Sequence, residues 1–368
     1  VKIVYLSASE VPSRTANSIH VMRMCAAFAK CGHETVLVAR HRNHGPLENI
    51  YDYYGVDSNF KLVILPYKKI KGTGIVLLPM LYSKLKKYDP KSVLIYSRDI
   101  YGALLAAGMG FKVIYEAHGL PYNRLISFWE KCLFKKARFV KLVVISEALK
   151  KLYVPRLKEP VKIEVCHDAA DTPDLDEKTH YPWPSTRNTL QLGYVGHLYK
   201  GRGIDVIVQC AKRLPQYDFH LVGGEEKDIA YWKRYKIQNL YFHGFVKPRM
   251  TTCICQKCDV LLMPYQAELS IAGRNLNTSS WMSPLKLFEY MSAGRVIIAS
   301  DLLVVREILN RDNSILVQPD NVDEWVSAII TCENREYRKR LARQTYESFL
   351  KNHTWEKRAK TVLKGIKP

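Results

Sequence analysis

Ser283-Pro284-Leu285-Lys286-Leu287-Phe288-Glu289-Tyr290-Met291-Ser292-Ala293-Gly294 runs directly into Val296-Ile297-Ile298-Ala299-Ser300-Asp301. It reads as a capped helix followed by a buried strand. Ser283 suits an N-cap, Pro284 the first helical position and Gly294 the C-terminal stop. The unpaired N–H groups at Leu285 and Lys286, the helix dipole and the Lys286 charge make the start of this helix an anion-binding end. Glu289 lies one turn further in. A carboxylate cannot hold a phosphate, but it can accept hydrogen bonds from the two hydroxyls of a ribose. An ordinary capped helix with an exposed Glu289 would carry the same letters.

Working outward, short apolar strands alternate with helical stretches on both sides. Lys2–Ser7, Thr35–Ala39, Leu62–Leu65, Val93–Tyr96, Val113–Tyr115 and Leu142–Ile145 are strands rich in Val, Ile, Leu and Tyr. Each is followed by a turn and a helical pattern, the first being Ser18–Lys30 closed by Gly32-His33. Such βαβ repetition implies a parallel sheet. The rhythm breaks between Ala169 and Thr189, where Asp171, Pro173, Asp174, Pro182, Pro184 and Ser185 replace aliphatic residues, and an exposed linker is expected. It resumes with strands at Leu190–Val195, Phe219–Val222, Leu240–Phe242, Val260–Met263 and Val296–Ala299, and helices at Ile204–Arg213, Trp232–Tyr235, Thr251–Lys257 and Val304–Leu309. The expected organisation is an α/β chain with a Rossmann-like domain over residues 1–175, a linker at 176–189 and a second Rossmann-like domain at 190–345. The two domains should face a central cleft, with ligands beyond the carboxyl ends of the strands.

A second phosphate-binding plan stands at Gly196-His197-Leu198-Tyr199-Lys200-Gly201-Arg202-Gly203, between a strand and a helix. Its spacing approaches that of a Walker A loop, but Arg202 and Gly203 replace the Lys and Ser/Thr. Without that hydroxyl no Mg²⁺ ligand is present, and an ATPase is disfavoured. The dinucleotide pattern G-x-G-x-x-G is missing here and after the first strand, which disfavours a nicotinamide enzyme. The loop suits a diphosphate held by His197, Lys200 and Arg202 without an obligatory metal; a basic surface turn is the plainer alternative.

The chain has 368 residues, of which 47% are hydrophobic and 25% charged, so it is globular rather than disordered. No uncharged apolar run approaches the roughly 18 residues of a membrane span, and Val1–Leu6 reads as a strand rather than a leader. Nine scattered cysteines point to reduced thiols in a cytoplasmic setting. Cys253, Cys255 and Cys258 lack the second pair that structural zinc requires, so core thiols are expected and no metal site is assigned. The net charge of +21 implies an anionic partner. It is spread over the chain: residues 1–175 hold 27 Lys/Arg against 15 Asp/Glu, leaving 29 against 20 for the rest. No zinc finger, RNP motif or basic recognition helix argues for nucleic acid.

The run Ser283–Gly294 with Val296–Asp301 resembles the donor-binding signature of the family-4 glycosyltransferases, retaining enzymes of the GT-B fold. The resemblance extends over almost the whole chain. Gly196-His197-Leu198 through Arg202-Gly203 is similar to that family's basic glycine loop. Phe219–Gly224 and His243-Gly244-Phe245-Val246 are similar to its base-lining segments, and Asp259–Tyr265 to its buried strand. Ser18-Ile19-His20-Val21 with Gly32-His33-Glu34 is similar to its opening helix, and Glu116-Ala117-His118-Gly119 to its active-site histidine turn. Ser146-Glu147-Ala148 and His167–Asp171 are similar to its domain edge and linker. Trp355–Ala359 is similar to its last helix, so residues 346–368 are expected to pack back on the first domain. Two departures stand out. Trp281 occupies the place of a glutamate eight positions before Glu289, where it could stack on a hexose or lie in the core. The glycine-rich loop after the first strand is reduced to Ser13–Ser18.

The resemblance implies a retaining transferase that moves a hexose-type sugar from a nucleotide-diphosphate sugar to a glycan or lipid-linked acceptor, in polysaccharide or glycolipid biosynthesis. Implied catalytic residues are His118, Arg202, Lys286 and Glu289. Gly196, His197, Phe245, Val246, Ser283, Pro284 and Leu285 would bind the donor. Arg14, Asn17 and His20 would serve the acceptor. His118 could act through its carbonyl or ring, or be structural; His20 could face the core. No cofactor and no metal are expected, and Asp168 and Asp171 are expected at the surface or hinge. Aromatics interleave with cations at Tyr82–Tyr88 and Phe128–Phe139, which points to docking on an anionic membrane face or to solvated helices. A GT-B sugar-nucleotide epimerase and a non-catalytic basic sugar- or nucleic-acid-binding protein are the alternatives.

Overall fold

The computed structural model describes the chain except residues 42–48, 68–72, 158–159, 174–180, 186, 200, 269, 272–273 and 367–368. It divides into two units: Val1–Asp168 with Trp355–Pro368, and Ala169–Thr354.

The first unit is built on seven parallel strands: β1 (Lys2–Glu10), β2 (Glu34–His41), β3 (Lys61–Pro66), β4 (Val93–Ser97), β5 (Lys112–Ala117), β6 (Phe139–Val144) and β7 (Ile163–Val165). Their order is β3-β2-β1-β4-β5-β6-β7. Five consecutive residues of β1, Ile3 to Ser7 excepting only the last in apolar character, are buried with Tyr5 registered between Leu37 and Tyr96. A strand buried on both faces needs such a continuous apolar run. The order reverses between β1 and β4, and the loops leaving those two strands therefore diverge and open a crevice at their carboxyl ends. Asn123 and Ser146 cap the helices Arg124–Phe134 and Glu147–Tyr153 by accepting from the N–H groups of Ile126 (2.8 Å) and Leu149 (3.0 Å).

The second unit has six parallel strands: β8 (Gln191–Val195), β9 (Asp218–Val222), β10 (Leu240–Gly244), β11 (Val260–Met263), β14 (Val296–Ser300) and β15 (Ile315–Val317). Between the fourth and fifth lies a separate antiparallel pair, β12 (Ser270–Ile271) and β13 (Arg274–Asn277). The sheet order is β10-β9-β8-β11-β14-β15, so the switch point falls between β8 and β11. Leu192, Phe219, Leu262 and Ile298 meet Ile207, Trp325 and Ile329 from the covering helices in one core. Each such buried side chain contributes about 1.5–3 kcal/mol relative to exposure.

The sequence reading placed the domain edges at 175 and 346; the units divide at Asp168 and again at Thr354. The first shift arises because β7 adds a seventh strand and Asp168, just beyond it, is held by His20. The second arises because residues 346–352 are the last two turns of the helix Arg335–Asn352, which buries Leu341, Thr345 and Phe349 in the second unit. Only the helix Trp355–Leu363 returns to the first unit. It buries Trp355, Arg358, Ala359 and Val362, a single helical stripe, against the helix Ala16–Lys30.

Candidate functional site

The second unit gathers its candidate residues at the switch point. Gly196 follows β8 with φ 148°, and its N–H donates to Val222 at the end of β9 (2.8 Å). The next loop turns equally tightly: Gly223 has φ 105°, and a Cβ there would meet the Gly196 carbonyl oxygen at 2.3 Å. Gly203 caps the helix Ile204–Arg213 at φ 73°, where a Cβ would stand 1.8 Å from the Pro264 carbonyl oxygen. Glycine at both places lets three backbone segments approach one another closely.

Two cations meet beside these loops. Lys286 is buried, its Nζ sits 3.6 Å from the centre of the Tyr194 ring, and that Nζ makes no hydrogen bond. Burial, reinforced by the neighbouring Arg202 guanidinium, holds its ammonium well below the usual lysine range, against the opposing pull of Glu289 and Cys255. Arg202 donates to the Tyr199 hydroxyl (2.6 Å) and lies over the rings of Tyr199 and Tyr265, while its Nε is buried without a partner. An ammonium over a π face is partly compensated, but two neighbouring cations, one buried and one half-buried, with a buried Nζ and Nε that make no hydrogen bond form a site prepared for an anion. His197 stands on the same loop; burial and then the Arg202 and Lys286 charges lower its pKa, favouring the neutral ring. Lys200 lies outside the described residues.

The helix begins one residue later than the sequence indicates. Its span is Leu285–Ser292, Pro284 occupies the N-cap position, and Ser283 is buried just before it. Pro fixes an extended conformation at that position without needing a hydrogen bond of its own. The Leu285 and Lys286 N–H groups remain without intrahelical acceptors. Gly294 follows the helix at φ 64°, as expected of a C-terminal stop. Glu289 is half-buried on this helix, one turn beyond Lys286, with which it interacts electrostatically. Phe245 is exposed and Val246 half-buried beyond β10, and Trp281 is half-buried before the helix.

The first unit holds a second constellation. Glu116, at the end of β5, is fully enclosed. Its Oε1 contacts His118 Nε2 at hydrogen-bond distance and lies 3.0 Å from His20 Nε2. Its Oε2 accepts from Arg358 (3.2 Å). Burial alone would raise the Glu116 pKa, but Arg358, His20 and His118 together hold it well below the usual carboxylate range. His20 also bonds Asp168 (2.9 Å) through Nδ1. His118 is pushed down to about 4, by burial first and then by the Arg98 charge. It is therefore neutral near pH 7. Because it bonds an ionised carboxylate, Nε2 carries its proton and Nδ1 keeps the lone pair.

This geometry corrects one expectation. Asp168, where the units divide, is buried and hydrogen-bonded rather than at the surface, because its partner His20 arrives from a helix 148 positions earlier. His20 is equally enclosed, edge-on to His118 (4.9 Å) and Trp355 (5.2 Å), and is a buried partner of two carboxylates, which is the core-facing alternative of the sequence reading. Arg14 and Asn17 are exposed at the start of the same helix, and Asn17 accepts from Arg98 (2.9 Å). Arg358 and Arg98 were not singled out in the sequence. Arg358 donates further to the carbonyls of His167 (2.9 Å) and Cys166 (3.2 Å), tying Glu116 to the end of β7. Among the described residues, His20, Glu116 and His118 are the group whose donor atoms converge within 4.8 Å as metal ligands would. Arg358 already occupies the other oxygen of that carboxylate and opposes a further cation there. Cys255 and Cys258 are buried core thiols, and the Cys258 Sγ fills the space a Gly193 side chain would take.

Two family models match the chain: residues 18–173 match Glycosyltransferase Family 4 and residues 189–334 match Glycosyl transferases group 1. An uncharacterized glycosyltransferase of Methanocaldococcus jannaschii is 25% identical over 284 residues, covering 69% of this chain and 67% of that protein. The O-antigen biosynthesis glycosyltransferase WbnH of Escherichia coli is 28% identical over 174 residues, 44% of this chain and 49% of that protein. Anabaena HepE in complex with UDP-glucose superposes with a TM-score of 0.68 at 15% identity, over 98% of each chain. With one glycosyltransferase model on each unit and both parallel sheets shared with such structures, the chain belongs to the group 1 and family 4 glycosyltransferases and is an enzyme of the GT-B fold.

Proposed function

We propose that this glycosyltransferase moves a hexose from a nucleoside-diphosphate sugar to a glycan or lipid-linked acceptor with retention of configuration, in the assembly of a polysaccharide or glycolipid. The observation that carries the donor side is the pair of cations, Lys286 and Arg202, whose Nζ and Nε are buried without a hydrogen bond near the start of the helix Leu285–Ser292. A diphosphate would give both an acceptor. HepE binds UDP-glucose and WbnH is named for O-antigen biosynthesis; both agree with this substrate class.

In this mechanism, negative charge grows on the departing diphosphate as the glycosidic bond breaks. Arg202, Lys286 and the helix N-terminus meet it with fixed positive charge already in place, with His197 assisting, and electrostatic preorganisation of this kind is commonly the largest single contribution to rate. Glu289 holds the ribose and so orients the donor. The acceptor hydroxyl attacks from the face the diphosphate leaves, and its proton passes to the departing phosphate. His118, neutral and fixed in one tautomer by Glu116, serves the transferred sugar through its Nδ1 lone pair or its carbonyl.

The reading assigns no metal and no organic cofactor. The Gly196–Gly203 loop offers no carboxylate, and fixed cations supply the charge that Mg²⁺ or Mn²⁺ would otherwise bring. No helix among the described residues is long and apolar enough to cross a membrane. Tyr122, Leu125 and Phe128 are each more than half exposed beside Arg124, Lys131 and Lys135. That patch fits peripheral docking on the anionic inner face of a membrane. A panel of UDP-, GDP- and other nucleotide sugars, read by thermal shift, tests the donor assignment. One donor should stabilise the chain clearly and lose that effect in Arg202→Ala, whereas no response to any nucleotide sugar would overturn it. Product analysis with donor alone separates transfer from epimerisation.

A further inference from the structure

The second unit contains a cavity of about 420 Å³ at the opposite edge of its sheet from the donor loops. Asp259, immediately before β11, and Arg295, immediately before β14, mark it as an amino-end site. The helix Arg335–Asn352 forms its other wall, and Arg335, Arg338, Lys339 and Arg343 recur at the spacing of one helical face. Five cations thus face one carboxylate.

That carboxylate neutralises little. Asp259 reaches Arg338 at 3.8 Å while its second oxygen accepts from the Gln191 N–H (3.0 Å). Lys339 and Arg343 pair with Glu336 (3.0 Å) and Glu347 (3.8 Å), which lie outside the cavity, and these pairs are largely exposed. Arg295 donates to the Gln256 carbonyl, but its Nε is buried with no hydrogen-bond partner. Like charges gathered in a concave wall repel one another and focus a positive field that attracts a counter-anion. The dipole at the start of Arg335–Asn352 adds to that field. The carboxyl end of Leu285–Ser292, which also borders the cavity, subtracts from it, but by far less than five full charges contribute. The volume lies in the range of small-molecule sites, and the Tyr346 ring gives one apolar wall beside Gly294.

We propose that this cavity is a second anion site, distinct from the donor site, which takes a diphosphate-sized phosphate ligand. The arginines supply bidentate donors to phosphate oxygens, and the buried Arg295 Nε–H gains the acceptor it lacks. The ligand is either a soluble phosphate compound or the phosphate headgroup of a lipid; the recognition chemistry is the same.

The test uses the full chain carrying Lys286→Met and Arg202→Ala, which disables the donor loops. Inorganic pyrophosphate is titrated by calorimetry at low salt. One saturable site is expected to remain, and Arg335→Glu/Arg343→Glu should weaken it at least tenfold. Arg340→Glu/Lys351→Glu makes the same charge change elsewhere on the same helix and should leave affinity within about threefold. Thermal melting of each variant checks folding; Arg335, Arg340, Arg343 and Lys351 are exposed. A lipid source predicts that pyrophosphate and Arg335→Glu/Arg343→Glu each reduce sedimentation with phosphatidic acid vesicles. A soluble source predicts pyrophosphate binding while sedimentation, carried by the Tyr122–Phe128 patch, is unchanged by either. Equal weakening by both double variants, or no saturable binding in the donor-disabled chain, overturns the proposal.

Discussion

Replacing Lys286 by Met should separate stability from function in opposite directions. The ammonium is buried over the Tyr194 ring with no hydrogen bond, faces Arg202 from the glycine loop, and is opposed by Glu289 on its own helix and Cys255 on the helix Thr251–Lys257. Its pKa is depressed in the folded chain, so the unfolded chain binds more protons between that value and the ordinary one. Stability therefore rises with pH through that window, and the protein carries a destabilising charge below it. Each tenfold reduction in proton affinity corresponds to about 1.4 kcal/mol. Met fills similar space without the charge, so the melting temperature should rise and its upward slope with pH should flatten. Donor binding should move the other way. Loss of a charge-assisted bond to phosphate costs about 1.5–3 kcal/mol, roughly a 10- to 150-fold weaker Kd. In the wild type, the bound diphosphate favours the ammonium, so binding should take up protons, and affinity should fall as pH rises through the free-enzyme pKa. Calorimetry in buffers of different ionisation enthalpy measures that uptake, and thermal melts across pH measure the stability change. A variant that melts lower while binding the donor as tightly as wild type would refute the reasoning and make Lys286 a structural residue.

Arg202→Ala should lower the rate at saturating donor by about a hundredfold, because it meets charge that grows in the transition state; a rate within about threefold of wild type contradicts the assignment. Glu289→Ala should weaken donor binding by about 2–4 kcal/mol if it holds both ribose hydroxyls, and unchanged affinity by calorimetry would remove it from the site. In the first unit, burial pushes Glu130 up to about 7, although Tyr153 and Tyr115 donate to it. The folded chain thus holds a proton that the unfolded chain has lost. Its contribution is full below the ordinary carboxylate range and is lost as pH rises to about 7; Glu130→Gln should abolish that part of the pH dependence of melting, and an unchanged profile would place the titration elsewhere.

The parallel sheets were readable because strands buried on both faces leave runs such as Ile3–Leu6 and Val296–Ala299. Ile163–Val165 and Ile315–Val317 were missed because three residues show no period, and only pairing to β6 and β14 fixes them as strands. The pairing of Arg202 with Lys286 was legible from local spacing, since each lies in a short motif that also shapes its own loop or helix. The Glu116 cluster was legible only in part. His118 is two residues from Glu116, but His20, Asp168 and Arg358 reach it from three distant segments. Asp168 immediately precedes a stretch whose prolines and aspartates signal a linker, and nothing local distinguishes a buried aspartate there. Arg358 resembles any other cation of a basic helix until Trp355, Ala359 and Val362 turn its face inward.

The central claim is transfer with retention, driven by fixed cations rather than by a metal. It is tested by following the slow hydrolysis of the preferred nucleotide sugar by proton NMR, in EDTA, with water standing in for the acceptor. The account predicts that the sugar first released has the anomeric configuration it had in the donor, and that turnover persists in the chelator. Release of the opposite anomer, or loss of turnover in EDTA that Mn²⁺ restores, would contradict it.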